Sequence, residues 1–319
     1  MPSESRESLN PDLLPSAGAD RVVIRDVTPR DGLQSEQPVP APRRAELARR
    51  LAACGLRHVE AAAFVSPRAV PAMADADSVM AALPSDPAVT WWALVPNAHG
   101  ANAAVQAGCR HITVTVSVSD GYSLKNVGRS TDECIEALAA IGDAVGSAGD
   151  RAAVLDVVLS CAFGSPFDDV PDAAAVQRVA RAVRATLPDA LVTLADTTGT
   201  ATPRRVREVV QAVSALGYGT PGLHLHDTRG TALVNALAGL DQGVRRFDTA
   251  TGGLGGSPFA PGAGGNLPTE QLVMVLEDLG MTTGVDLDAL LTVARELPAL
   301  VGHDVASRVA SSGGLPGFG

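Results

Sequence analysis

The strongest chemical signal in this chain is a pair of histidines two residues apart, His224 and His226, with Asp227 directly after them. On a strand, residues i and i+2 point to one face. Both imidazoles then project to the same side while Leu225 faces the other, and two convergent imidazoles suit a divalent cation. The competing reading is a hydrogen-bonded pair of histidines in a barrel interior. Further polar residues gather near the ends of short apolar runs: Asp26, then Arg30 and Asp31, Glu60, and Asp196. In a closed barrel only one strand would separate the histidines from Asp31. Imidazole nitrogens combined with carboxylate, amide and water oxygens favour Mg²⁺ or Mn²⁺ over a thiolate-seeking metal.

Two other stretches stand out. Segment 252–266 (GGLGGSPFAPGAGGN) holds seven glycines and leads into a helix expected from about residue 267. It reads as a mobile lid over a barrel mouth, against a plain flexible loop or a phosphate cradle at a helix N-terminus. Lys125 is the only lysine in the chain, set in what reads as a loop after the fourth strand. An ammonium there can serve as a phosphate-binding point charge, as a Schiff-base former when desolvated, or as an ordinary solvated lysine.

Eight elements are needed to position these residues. Strand-like runs cover 21–28, 58–65, 90–96, 111–119, 152–162, 190–198, 222–228 and 245–251. Helical periodicity marks 41–54, 131–145, 172–186, 203–216, 232–242 and 268–279 between and after them. This alternation predicts an α/β protein, a (β/α)₈ TIM barrel with a C-terminal helical extension over about 286–310. A doubly wound sheet is the runner-up, but its first turn would carry a glycine-rich phosphate loop, and here that turn reads TPRDGLQ. We expect a disordered tail over 1–20, a single domain over 21–310 and a flexible tail over 311–319. In such a barrel the site lies at the C-terminal ends of the strands, where the polar residues concentrate.

Composition narrows the function further. A net charge of -10, with 2 Trp, 2 Tyr and 6 Phe in 319 residues, argues against a nucleic-acid partner. No apolar run is long enough for a membrane span, and the first 20 residues lack the pattern of a secretory signal. Cys54, Cys109, Cys134 and Cys161 form no C-x-x-C pair and read as buried free thiols. The expectation is a cytoplasmic protein.

The motifs TPRDGLQ, VEAAAFVSP, VPN, LKN, LSCAFGSPF, ADTTG, HLHDT and GGLGGSPFAPGAGGNLPTE follow one another over about 21–310. In that order they resemble the hydroxymethylglutaryl-CoA lyases, a family of metal-dependent TIM-barrel enzymes. The resemblance implies a divalent cation, Mg²⁺ or Mn²⁺, an acyl-CoA substrate and a homodimer. It implies retro-Claisen cleavage of 3-hydroxy-3-methylglutaryl-CoA to acetoacetate and acetyl-CoA. Position by position it makes Asp31, His224, His226 and Asn266 the metal ligands, and His224 catalytic as well. Arg30 becomes the cation that stabilises enolate character, while Glu60 and Asp196 become orienting or proton-transfer groups. Lys125 and Asn126 fall on a stretch near the coenzyme nucleotide.

Four positions depart from the family pattern. Ser257 stands where the family's lid carries a catalytic cysteine, and a hydroxyl is a far weaker acid than a thiol, whose ordinary pKa is about 8.5. Ala63 replaces a hydroxyl residue, Thr28 replaces a glycine, and Arg229 replaces a tyrosine after HDT. These changes keep two alternatives open: a related lyase or aldolase for a different 3-hydroxyacyl-CoA or hydroxy-oxo acid, and an inactive acyl-CoA-binding relative.

Overall fold

The computed structural model describes residues 20–146, 153–168, 170–256 and 264–314. Its strands are β1 (Val23–Asp26), β2 (His58–Ala63), β3 (Thr90–Leu94), β4 (His111–Ser117), β5 (Val154–Ser160), β6 (Leu191–Asp196), β7 (Gly222–Leu225) and β8 (Arg246–Thr249). They pair in chain order, and β8 pairs back in parallel with β1, placing Val23 opposite Arg246 and Asp26 opposite Thr249. The expected TIM barrel is therefore present.

Alternation along the strands sorts two interiors. Ile112, Val114 and Val116 of β4, with Leu223 and Leu225 of β7, lie in the main apolar core between barrel and helices. That core is closed by α1 (Ala41–Ala53), α5 (Thr131–Gly146), α6 (Ala173–Thr186), α7 (Pro203–Ser214) and α8 (Ala232–Asp241), which bury residues such as Leu51, Leu138, Val179 and Val209. The barrel's own centre is polar. Arg25 forks onto Asp248 with two bonds of 2.8 Å, approaches Asp156 at 2.9 Å and lies 4.7 Å over the Trp92 ring. Buried charges persist only when paired in this way.

Three helices escaped sequence reading: α2 (Ala76–Ala81), α3 (Ala98–Gln106) and α4 (Asp120–Val127). Gly100 inside α3 weakens its helical signal, yet a Cβ there would stand 2.6 Å from the Phe64 carbonyl oxygen. Lys125 and Asn126, expected in a loop, sit on α4, whose N-cap Ser119 accepts from the Tyr122 N–H at 3.0 Å. After the barrel come α9 (Thr269–Asp278), α10 (Leu287–Val301) and α11 (Arg308–Ser312). The helix after the glycine-rich segment thus starts at Thr269, and α11 continues two residues past the boundary expected at 310. No helix of the described residues is long and apolar enough to cross a membrane.

Candidate metal centre

The first site residues come from a tight turn after β1. The Val27 carbonyl accepts from the N–H groups of Arg30, Asp31 and Gly32 at 3.2, 2.7 and 3.1 Å, giving one π-type turn over Thr28–Gly32. Pro29 presets its first dihedral. Buried Thr28 pins this turn to the other end of the chain, because its hydroxyl accepts from the Thr251 N–H at 2.7 Å. The Asp26 carboxylate takes the Thr28 N–H and the Thr251 and Thr269 hydroxyls. The hydroxyl of Thr28 is thus part of the seam that closes the barrel.

β7 ends at Leu225, so His224 is on the strand and His226 lies just beyond it, a correction to the expected strand over 222–228. The strand stops because another segment pairs with the residues beyond it. Leu267 N–H donates to the Leu225 carbonyl and Asp227 N–H to the Gly265 carbonyl, each at 2.8 Å, which bridges His226 to Asn266. This antiparallel contact carries Asn266 into the site. Gly265 is required there, since a Cβ on it would fall 1.7 Å from the Gly253 carbonyl oxygen.

The side chains converge. One ligand atom each from Asp31, His224 and His226 lies within 4.8 Å of the others. The two histidine Nε2 atoms are 3.1 Å apart, and the Asn266 amide nitrogen donates to Asp31 Oδ2 at 2.7 Å and to the Leu254 carbonyl at 3.0 Å. Arg30 binds Glu60 Oε2 at 2.5 Å and Asp31 Oδ1 at 2.6 Å. Burial disfavours charge on Asp31, but Arg30 and the two imidazoles outweigh it and hold its pKa at about 2. Burial also opposes the imidazolium of His224, yet its bond to Asp248 and the charge of Asp31 raise its pKa. His226 drops to about 4 through burial and the neighbouring His224.

These residues fit a divalent cation. Asn266 Oδ1 and His226 Nδ1 are buried without a hydrogen-bond partner, and Asn266 Oδ1 is left as a free oxygen donor beside Asp31. Two imidazole nitrogens facing one point, with a carboxylate and an amide oxygen, form a hard, mixed N/O donor set. Of the two readings for the histidine pair, a candidate cation site is the one this geometry favours.

The other expected residues divide clearly. Glu60 is buried on β2 against Arg30, with Oε1 unpartnered. Asp196, at the end of β6, accepts from the Thr200 and Ala201 N–H groups at 2.8 and 3.1 Å. Burial pushes its pKa up to about 6. Lys125 and Asn126 are exposed on α4, outside the buried cluster. Ser257 lies outside the described residues. Ala63 is fully buried, and exposed Arg229 donates to the carbonyls of Thr198 and Gly199 at 3.1 and 2.8 Å.

Sequence reasoning missed Asp248 and Arg25. Asp248 stands two residues past Arg246 in a strand, RFDT, with no motif to mark it. Only the register, which sets His224 beside Asp248 and Asp248 beside Arg25, shows what the carboxylate does.

A closed parallel barrel with this donor set at its C-terminal mouth defines a metal-binding TIM-barrel enzyme. The family model described as HMGL-like matches residues 21–297, and the chain belongs to that family. The hydroxymethylglutaryl-CoA lyase of Pseudomonas mevalonii is 41% identical over 289 residues, 90% of this chain and 95% of its own length. An (R)-citramalyl-CoA lyase of Chloroflexus aurantiacus is 38% identical over 301 residues, 88% of this chain and 94% of its own. The solved structure of an HMG-CoA lyase from Acenitobacter baumannii, in complex with coenzyme A and 3-methylmalate, matches with a TM-score of 0.87 and 36% identity. That match covers 94% of this chain and 97% of the other. The protein is a carbon–carbon lyase.

Proposed function

We propose that this lyase cleaves a 3-hydroxyacyl-CoA thioester by retro-Claisen chemistry, with 3-hydroxy-3-methylglutaryl-CoA as the first assignment. The observation that carries the reading is the meeting of Asp31, His224, His226 and Asn266 beside the Arg30–Glu60 pair. The 41% identical relative bearing that activity in its name supports the substrate.

A Mg²⁺ or Mn²⁺ ion held by Asp31, His224, His226 and Asn266 would polarise the substrate's tertiary hydroxyl and lower its pKa. The chain's own groups account for the rest. As the tertiary hydroxyl passes its proton to Asp196 and the carbon–carbon bond breaks, the bond's electron pair moves into the thioester as an enolate and the hydroxyl carbon becomes the ketone of acetoacetate. Arg30, fixed by Glu60 and Asp31, holds positive charge for that enolate in a dry site. Asp196, with a pKa near 6, can exchange a proton close to neutrality, and Glu60 Oε1 can accept a substrate hydroxyl. A final proton must reach the new methyl of acetyl-CoA, and Ser257 is a poor donor for it. Lys125 and Asn126 take the coenzyme phosphates.

A second reading has its own support. Arg229 places a cation at the loop after β6, and the citramalyl-CoA lyase is nearly as similar as the hydroxymethylglutaryl-CoA lyase. Purified protein with Mg²⁺ or Mn²⁺, assayed on a panel of 3-hydroxyacyl-CoA thioesters and hydroxy-oxo acids, decides between them. His224→Ala and Asp31→Asn should lose both bound metal and activity while staying folded; full metal content and activity in both variants would refute the assignment. The homodimer belongs to the same reading and is checked by sedimentation. So does a cytoplasmic location, which the four unpaired thiols suit.

A further inference from the structure

The only lysine of the chain sits on a helix whose sequence does not favour one. α4 reads DGYSLKNV, eight residues with Gly, Ser and Asn among them. Such a segment is marginal alone and takes its stability from docking. Its dock is the loop after β5. The Asp168 carboxylate there accepts the Ser119 hydroxyl and, at 2.9 Å, the Gly121 N–H. Ser119 is the N-cap of α4, and its oxygen also lies 2.7 Å from the Ser165 hydroxyl. Ser165 accepts the Phe167 N–H at 3.1 Å, and the Phe167 ring packs 6.1 Å from that of Tyr122. The seam is close enough that a Cβ on Gly121 would lie 2.5 Å from an Asp168 oxygen and 3.0 Å from Phe167 Cβ. One carboxylate therefore fixes both the cap and the first turn of α4.

We propose that Asp168 is a positioning residue for coenzyme A binding. It acts through Ser119 and Gly121 on the direction of α4, and so on where Lys125 and Asn126 stand at the barrel mouth. The inference rests on Lys125 as a phosphate-binding group. An anion bound to two donors of one helix end is a charge-assisted anchor that a neutral side chain replaces poorly. Losing it frees the helix, so the deficit falls on the nucleotide end of the substrate. The chemistry at Asp31, His224 and His226 is untouched.

The test uses the metal-loaded enzyme and calorimetric titration with coenzyme A for wild type, Asp168→Ala, Gly121→Ala, Lys125→Ala and the Asp168→Ala/Lys125→Ala pair. Gly121→Ala wedges the same seam without removing a polar group. Kinetics on the coenzyme A thioester are compared with the same acyl group on pantetheine, which lacks the nucleotide. Asp168→Ala and Gly121→Ala should each weaken coenzyme A binding roughly tenfold, within the range for coupled neighbours. KM should rise with little change in kcat, the pantetheine thioester should be unaffected, and the pair should bind little worse than Lys125→Ala. Wild-type binding by Asp168→Ala and Gly121→Ala, with Lys125→Ala weakened, would overturn the positioning role and leave Lys125 intact. Equal losses on the pantetheine thioester would overturn it too. Wild-type binding by Lys125→Ala would remove the phosphate reading, and with it the route by which Asp168 acts.

Discussion

His224 Nδ1 lies 3.3 Å from Oδ2 of Asp248, and the same carboxylate is gripped by both arms of the Arg25 fork. The contact fixes which imidazole nitrogen remains for the site: Nε2, the atom facing His226. A carboxylate on the far nitrogen orients a ligating histidine and raises its basicity. Asp248→Asn should therefore lower Mn²⁺ affinity about 10- to 100-fold, the usual effect of such a partner, in a chain that still folds. Titration calorimetry with Mn²⁺, alongside a melting curve, checks this; unchanged affinity would mean that Asp248 serves only the Arg25 cluster.

Gly265→Ala should damage the site without touching a ligand. The added Cβ would have to displace the Gly253 carbonyl from 1.7 Å, and the pairing of 265–267 with 225–227 would open. Overpacking of this kind costs about 1–3 kcal/mol. Urea unfolding should show that loss, and Mn²⁺ affinity should fall with it because Asn266 is adjacent. A variant with wild-type stability and metal binding would contradict the described pairing.

Ser257 supplies a third expectation, drawn from sequence. If hydroxymethylglutaryl-CoA is the substrate and enolate protonation is slow for want of a thiol, Ser257→Cys should raise kcat/KM about 10²-fold, the lower end for a positioned acid. Ser257→Ala should leave the rate near wild type unless the hydroxyl positions a water. Complete inactivity of the Cys variant, folded and metal-loaded, would point to a different substrate.

Strand number, barrel closure and the position of most helices were legible because periods of 2 and 3.6 are written in Val, Ile, Leu and Ala. The histidine pair was legible for the same reason, since spacing alone sets their common face. The second layer was not. Asp248 becomes a partner of His224 only through strand register, and no local pattern encodes register across a barrel. Helix α4 was hidden because its own residues are weak helix formers and one of its anchors, Asp168, lies 47 residues from Gly121 in sequence. Asn266 was found by resemblance, whereas the reason it reaches the site, the bridge to His226, is a tertiary pairing.

His58 gives a pH-dependent prediction remote from the metal site. Burial, with the charges of His111 and Arg25, lowers its pKa to about 3, and its Nδ1 is set to accept from Trp92 Nε1 at 3.4 Å. Between its ordinary pKa of about 6.5 and that depressed value, the unfolded chain binds a proton that the native one refuses. Stability from this group is thus complete above about pH 6.5 and is lost as pH falls, by about 1.4 kcal/mol per unit. His58→Asn keeps an acceptor for Trp92 and removes the titration. Its unfolding free energy should decline less than wild type's between about pH 7 and pH 5 in urea melts; parallel declines would place the acid sensitivity elsewhere.

The pairing of β8 with β1 has a consequence for synthesis. Asp31 leaves the ribosome early, while Asn266 follows it by 235 residues, and the two meet only where the last strand joins the first. Until then β1 has one open edge, and the nascent chain cannot bring Asp31, His224, His226 and Asn266 together. A site built from these residues can therefore form only after β8 has closed onto β1. A circularly permuted gene beginning at β7 would change that order, delivering His224, His226, Asn266 and Asp31 within the first half of translation.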